Sequence, residues 1–279
     1  EMIEILDSLP HIKKKILTSA TQEFKVPAFV GLNNPGRINY LHEAVHKLEI
    51  KKIVVGNDLL EGLADSLKAI GNKPGIIFCN YKDTIAGISE FLTSKDISHG
   101  LFYGGLEQID RERALIKFRN GTHQLLLATD LAARGIDVPE IKFIIHYELP
   151  YKEKEFTHRN GRTARMNAEG TAYVLTRKGA QLPEYMPELE DANLAGGKDL
   201  KPSEWTTLYI TGGKKDKISK GDIAGLFMKQ AGLEPYEVGH IEIKLDSTFV
   251  SVHKTQLSKA IAKTNNTRVK KKKVRVSEA

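Results

Sequence analysis

The sequence predicts an α/β domain built on a parallel sheet covered by helices, followed by a smaller α+β domain with the order β-α-β-β-α-β. Three observations predict this. Short, nearly continuous apolar runs alternate with longer helical stretches through residues 14–190, as expected for strands buried on both faces and joined by crossover helices. The pattern lapses between about 178 and 204, where "GAQLPEYMPELEDANLAGGKDLKPSE" is rich in proline and glycine. It resumes at Trp205 with strand, helix, two strands, helix and strand, the split βαβ order of a four-stranded antiparallel sheet backed by two helices.

In the first part, "GIIFCN" (75–80) is a buried strand by composition, and "KDTIAGISEFLTSKD" after it is helical. "SHGLFYG" precedes the helix "LEQIDRERALIKFRNG", which Gly121 is placed to stop. "HQLLLATD", "FIIHYEL" and "GTAYVLT" supply further strands. Ligands of such sheets bind beyond the carboxyl ends of the strands. The polar residues after "LLLAT" fall there. In the last part, "WTTLYITGG" is a strand and "SKGDIAGLFMKQAG" a helix, with Ser219 as N-cap and Gly232 as stop. "VGHIEIKLDSTFVSVHK" forms two strands around a turn at Asp246–Ser247, "TQLSKAIAKTN" a helix, and "RVKKKKVRV" the last strand.

The start is different. Residues 1–18 suggest a helix, a proline turn and a strand, "KKILTSAT", with too little chain to bury their own apolar side chains. They are expected to be the tail of a preceding domain, which makes the sequence a fragment. The expected domains are 1–30, 31–185 and 205–279, with 186–204 as a linker.

Composition narrows the function classes. Of the 279 residues, 41% are hydrophobic and 28% charged, enough apolar material for real cores. No apolar run approaches the length of a membrane span. The first residues lack the basic start and apolar core of a signal peptide. The single cysteine, Cys79, excludes an intramolecular disulfide framework and suits a reducing compartment, so a cytoplasmic location is expected. Cys79 lies in an apolar strand and is expected to be structural. The net charge of +7 is unevenly distributed. Residues 205–279 hold 15 Lys+Arg against 7 Asp+Glu, so all the excess positive charge sits in the last quarter. That asymmetry fits either a nucleic-acid-binding module or a lysine-rich solvated surface.

The octet "HRNGRTAR" (158–165) carries three arginines and a histidine. Arg162 and Arg165 are three residues apart, and their guanidinium forks suit phosphate oxygens. By itself the octet fits a nucleotide phosphate or an RNA backbone equally well.

Its companions form an ordered set: "LTSAT" near 17–21, "GIIFCN", "EQIDR" at 107–111, "ATDLAARGIDVPE" at 128–140, and "HRNGRTAR". In this order and spacing they resemble motifs III, IV, IVa, V and VI of the DEAD-box RNA helicases of superfamily 2, from about Lys14 to Thr176. The resemblance implies a RecA-like lobe. It implies that Arg162 and Arg165 are arginine fingers for the γ-phosphate of ATP, and that His158 couples the motif VI segment to motif III (Ser19, Thr21). Asp137 would accept from the ribose hydroxyl, with Gly135 near the phosphates. Asn80, Lys82, Gln108, Arg111, Thr129 and Arg134 would face RNA phosphates. The sequence departs from the family at Asn160, usually apolar, at Ala164, often glycine, and at "YGG" (103–105) in place of "HGD". No glycine-rich phosphate loop ending in Gly-Lys-Ser/Thr and no Asp-Glu-Ala-Asp box occurs. A separate first lobe is expected to carry them, including the Mg²⁺ ligands. No metal site is expected here, and these residues alone are expected not to hydrolyse ATP.

The C-terminal module lacks the usual aromatic signature of RNA-recognition folds. Tyr209 and Phe249 sit on central strands, where core packing and base stacking are both open. "TLYITGGKKDKISKGDIAG", "VGHIEI" and "KKKKVRV" together resemble the RNA-binding domain of the DbpA-like subgroup. That resemblance implies an RNA-recognition-motif-like (RRM-like) domain, a 23S rRNA hairpin as partner and a role in large-subunit assembly. Lys214, Lys215, Lys217, Lys270, Lys271, Lys272 and Lys273 would be its phosphate contacts, with no membrane partner and a monomeric state. The alternative from another class is a non-enzymatic RNA-binding adaptor or chaperone.

Overall fold

In the computed structural model the described residues are 2–9, 11–18, 26–32, 34–39, 48–130, 141–164, 169–194, 196–197 and 199–279. The chain divides into two compact units, Glu1–His46 and Lys47–Ala279. In the first, Met2–Asp7 forms helix α1 and Ala28–Val30 a single 3-10 turn. Lys15 Nζ donates to Val30 O at 2.7 Å. Residues 14–18 of the expected strand are not in strand conformation, and 19–21 lie outside the described residues. Met2, Ile3, Ile5, Leu9, Ile16, Leu17, Phe29 and Ile38 are exposed in this unit. So short a segment has no core of its own to receive them.

The second unit holds both predicted sheets. The larger is built from β1 (Leu48–Val55), β2 (Gly75–Phe78), β3 (Gly100–Phe102), β4 (Leu125–Ala128), β5 (Phe143–His146), β6 (Gly170–Arg177) and β7 (Glu190–Asp191). Their spatial order is β3-β4-β2-β5-β6-β1-β7, and every pairing is parallel. Helices α2 (Leu59–Ile70), α3 (Lys82–Ser94), α4 (Gln108–Arg119) and α5 (Glu153–Asn160) connect them. The central strands β2, β4 and β5 are wholly buried, which explains why they lack polar alternation. Separate apolar clusters line the sheet, one around Leu63, Leu67, Ile77, Ile85 and Leu127, another around Ile76, Phe78, Phe118, Leu126 and Ile144. Asp58 caps α2 by accepting from the amides of Leu60 and Glu61. Gly121, in the left-handed region at φ 74°, follows α4 where the stop was expected.

Segment 186–204 adds to the sheet. Glu190 and Asp191 pair with Lys51 and Lys52 of β1, and Leu189 and Leu194 pack on the apolar clusters. Asn72 and Lys201 exchange two hydrogen bonds, Nδ2 to O at 2.6 Å and N to Oδ1 at 3.0 Å. No helix occurs among its described residues.

The smaller sheet contains β8 (Trp205–Ile210), β9 (Val238–Ile243), β10 (Thr248–His253) and β13 (Val276–Glu278), in the order β13-β8-β10-β9, all antiparallel. Helix α6 (Lys220–Gly225) runs on into a π turn at Leu226–Gln230, and α7 is Leu257–Thr264. Both pack on one face through Ile223, Phe227 and Ala260 against Leu208, Ile210, Val250 and Val252. Ser219 and Asp222 form the capping box that starts α6. One element differs from expectation. "RVKKKKVRV" is not a single strand: β11 (Arg268–Val269) and β12 (Lys272–Lys273) pair with each other in a small hairpin, and only Val276–Glu278 joins the main sheet. Lys270, at φ 54°, makes the turn. Consecutive lysines that strongly repel are thereby turned outward at the hairpin tip rather than alternating into the core. No helix among the described residues is long and apolar enough to cross a membrane.

Candidate nucleotide and RNA interface

The carboxyl ends of β2, β4 and β5 deliver the loops that contain Asn80, Thr129–Asp130 and Glu148. One side chain joins all three. Arg159, near the end of α5, is only 1% exposed. Its Nε and Nη2 donate to Asp130 Oδ1 and Oδ2, both at 2.6 Å. Nη1 donates to Glu148 O at 2.6 Å, and Nη2 also to Asn80 Oδ1 at 2.7 Å. The guanidinium lies 5.2 Å from the Phe78 ring centroid. Arginine alone has the planar fork for four such bonds while staying charged. Glu148 extends the network, accepting from the Asn80 amide at 2.6 Å and from Thr84 Oγ1 at 2.9 Å.

This places Asn80, expected at the RNA, inside the scaffold: Nδ2 donates to Leu149 O at 2.9 Å while Oδ1 serves Arg159. Arg159, Asp130 and Glu148 were not singled out from the sequence. The signal available was the first arginine of the octet, which falls on the inward side of the last turn of α5, three residues before Arg162.

The departure at Asn160 has a partner. Asn160 Oδ1 accepts from Nε2–H of His146 at 2.9 Å, in the wholly buried end of β5. His146 stacks between Phe156, 4.6 Å between centroids, and Phe78, 6.2 Å. Burial pushes its imidazole down to about 3, so it is neutral, and Nδ1 is left without a hydrogen-bond partner among the described residues. The polar residue at 160 thus gives the buried Nε2–H of His146 its acceptor. Ala164 has no such reason: its φ is 52°, the left-handed region where glycine is at ease and an alanine is not. Cys79 is buried, and burial pushes its thiol up to about 12, the state of a structural cysteine.

Arg162 and His158 are both partly exposed beyond and on the last turn of α5, and Arg162 Nε donates to His158 O at 3.4 Å. Lys82 and Gln108 are exposed at the first turns of α3 and α4, and Thr129 is half-buried after β4. Arg111 is half-buried, with Nε lacking a hydrogen-bond partner among the described residues. Ser19, Thr21, Arg134, Gly135, Asp137 and Arg165 lie outside the described residues. Of the residues expected at the nucleotide, the structure therefore describes Arg162 and His158, and a partly exposed guanidinium on a loop suits contact with a phosphate.

In the C-terminal domain the lysines collect on two neighbouring turns. Lys214, Lys215 and Lys217 occupy the turn after β8, and Lys270–Lys273 the β11–β12 hairpin. Lys270 bridges the two turns, donating to Lys217 O and pairing with Asp222 at 2.9 Å. Hydrogen bonds from Ser219 and the nearby Lys270 hold the Asp222 carboxyl down at about 2. Lys272 faces Asp216 at 3.6 Å and Lys215 faces Asp246 at 3.9 Å. Lys214, Lys217, Lys271 and Lys273 are exposed and carry no ion pair among the described residues. Tyr209 and Phe249 meet edge to face, 5.4 Å between centroids. Phe249 is only 6% exposed, so of the two readings open for it core packing fits and base stacking has no open ring face.

Residues 57–167 match the helicase conserved C-terminal domain, and residues 207–278 match the DbpA RNA binding domain. ATP-dependent RNA helicase DbpA of Escherichia coli is 31% identical over 209 residues, 72% of this chain and 46% of that protein. DbpA of Bacillus subtilis is 26% identical across the whole of this chain and 66% of its own length. A fungal relative, ATP-dependent RNA helicase eIF4A of Mycosarcoma maydis, is 31% identical over 62% of this chain and 43% of its own. The chain thus spans about half to two thirds of the length of these curated relatives. Among solved structures, S. cerevisiae Dbp5 bound to RNA and ADP BeF3 shares the fold, with a TM-score of 0.52 at 23% identity over 63% of this chain and 48% of Dbp5. A RecA-like lobe carrying these motifs defines the class: the chain belongs to the DEAD-box RNA helicases. Its C-terminal domain places it within that family in the DbpA-like subgroup.

Proposed function

We propose that this chain supplies the second lobe and the RNA anchor of an ATP-dependent RNA helicase that remodels 23S rRNA in the cytoplasm during large-subunit assembly. The observation that carries the reading is the conjunction, in one chain, of a helicase C-terminal domain and a DbpA-type RNA-binding domain. Arg162, with Arg165, delivers positive charge to the γ-phosphate of ATP, and Gly135 and Asp137 receive the phosphates and ribose. Charge supplied by such fingers is worth ~10³–10⁵ in rate. His158, with Ser19 and Thr21, couples that step to lobe closure. Lys82, Gln108, Arg111, Thr129 and Arg134 hold the RNA backbone, a contact that carries no sequence information. The specific anchor is the C-terminal domain, whose lysine turns hold RNA phosphates, and it raises the local concentration of nearby duplex.

The sequence has no phosphate loop and no Asp-Glu-Ala-Asp box, so a separate lobe supplies these and the Mg²⁺ ligands, and the 279 residues do not turn over ATP alone. A salt titration of this chain on a 23S rRNA hairpin and on random RNA of equal length tests the anchor. Tighter binding of the hairpin at every salt concentration is expected. Equal affinity for both would favour a general RNA-binding adaptor instead.

A further inference from the structure

The C-terminal sheet has two faces, and α6 and α7 cover only one. On the other, Thr207 and Ser251 are 1% exposed and Phe249 6%, as little as core residues. What meets this face is the end of α4 and the turn into β4. Arg119 donates from Nε to Glu242 Oε2 at 3.1 Å and from Nη2 to Oε1 at 2.9 Å. Lys244 lies 2.7 Å from Glu242 and 2.6 Å from Glu112 of α4, which closes a chain of two cations and two anions. Thr207 Oγ1 is met by Asn120 Nδ2 at 3.2 Å and by Thr122 Oγ1 at 2.7 Å. Ser203 Oγ donates to Gly121 O, and the Trp205 ring lies over Gly121 so closely that an added Cβ would stand 3.7 Å from it.

We propose that this face is the seat of the chain's own helicase lobe, closed to nucleobases, and that it locks the lobe and the RNA-binding domain into one rigid body. The face is built for a protein surface. Its buried polar groups are a threonine and a serine hydroxyl, its Phe249 ring is covered, and its charges are neutralised in pairs, whereas an RNA platform keeps cations unpaired and aromatic faces open. Arg119 and Glu242 are about four-fifths buried. A bidentate pair so placed is less screened than an exposed one.

The helix that forms the seat also carries Gln108 and Arg111 at its other end. At 1.5 Å per residue, Gln108 and Arg119 are about 16 Å apart along α4. A locked domain therefore holds its lysine turns at a set distance and direction from the lobe, where a free tether would sample many. The grip on RNA falls to those turns and not to the sheet.

Single-molecule energy transfer on the 279-residue chain tests this, with dyes on cysteines introduced at Glu90 of α3 and Lys263 of α7, both exposed. The native Cys79 is buried and does not compete. One narrow distance is expected for the wild type, broadening in Arg119→Glu and, independently, in Lys244→Glu. Adding Glu242→Arg to Arg119→Glu is expected to narrow it again, which a merely misfolded variant would not do. A broad wild-type distribution, or one left narrow by both single variants, would overturn the proposal. So would a loss of about ten-fold in affinity for a labelled stem-loop RNA on Tyr209→Ala, the size of one lost base stack.

Discussion

Arg159 and Asp130 form a bidentate ion pair, with both N–O distances at 2.6 Å, around a guanidinium that is only 1% exposed. Through that pair the ends of three strands and one helix are held in a single arrangement. Arg162, one turn further on, inherits its position from it.

Truncating Arg159 strands a partly buried carboxylate and leaves Asn80 Oδ1 and Glu148 O without a donor. Arg159→Ala is expected to cost about 3–5 kcal/mol, the scale for breaking a buried pair by removing one partner. Arg159→Lys should recover little, since one ammonium cannot span four acceptors. Urea denaturation measures both. A loss below about 1 kcal/mol for the alanine variant would contradict the network's role.

The buried His146 gives the fold an acid sensitivity of predictable sign. Its folded pKa lies near 3 and its unfolded value near the ordinary 6.5. Stability is full above pH 6.5 and is lost as pH falls from there toward 3, because the unfolded chain takes up the proton first. The limiting slope is about 1.4 kcal/mol per pH unit. His146→Gln can keep the bond to Asn160 without titrating, so its denaturation midpoint should vary less between pH 7 and 5 than that of the wild type. Parallel curves would show that other groups govern the acid limb.

Gly213 seats the first lysine turn. A Cβ there would stand 2.5 Å from Lys244 O and 2.7 Å from the Leu245 carbonyl carbon, both backbone atoms that cannot turn aside. Gly213→Ala is expected to destabilise the C-terminal domain by roughly 1–3 kcal/mol, the usual scale of overpacking. Hydrogen exchange of β8 and β9 should report it.

Lys271 and Lys273 are exposed and without ion pairs among the described residues. Each alanine substitution should lower the slope of log affinity against log salt for RNA by roughly 0.7–0.9. Lys215, which faces Asp246, should change it less. An unchanged slope for Lys271→Ala and Lys273→Ala would mark these lysines as a solvated surface only.

The order of strands and helices was legible because burial on both faces leaves unbroken apolar runs in β2, β4 and β5, and because Ser219 and Gly121 punctuate helices by local chemistry. β1 was harder to see, since Lys51 and Lys52 interrupt its alternation near the sheet's edge. The hairpin at Lys270 was hidden because a basic run has no period that separates strand from turn. Exposed groups such as Lys82 and Gln108 could be singled out as candidates from motif spacing. The Arg159 network and the His146–Asn160 pair could not, because each joins residues brought together only by the sheet's parallel order. The docking of Thr207 and Glu242 on α4 left no signal either: both occupy ordinary outward positions of their strands.

The most direct measurement is RNA-stimulated ATP turnover by this chain together with the lobe proposed to carry the phosphate loop, with Arg162→Ala, beside its affinity for the 23S rRNA hairpin. Turnover is expected to fall by ~10³ or more, the scale of a lost arginine finger, with hairpin affinity nearly unchanged. Unchanged turnover with lost hairpin binding would show that Arg162 serves RNA and not ATP.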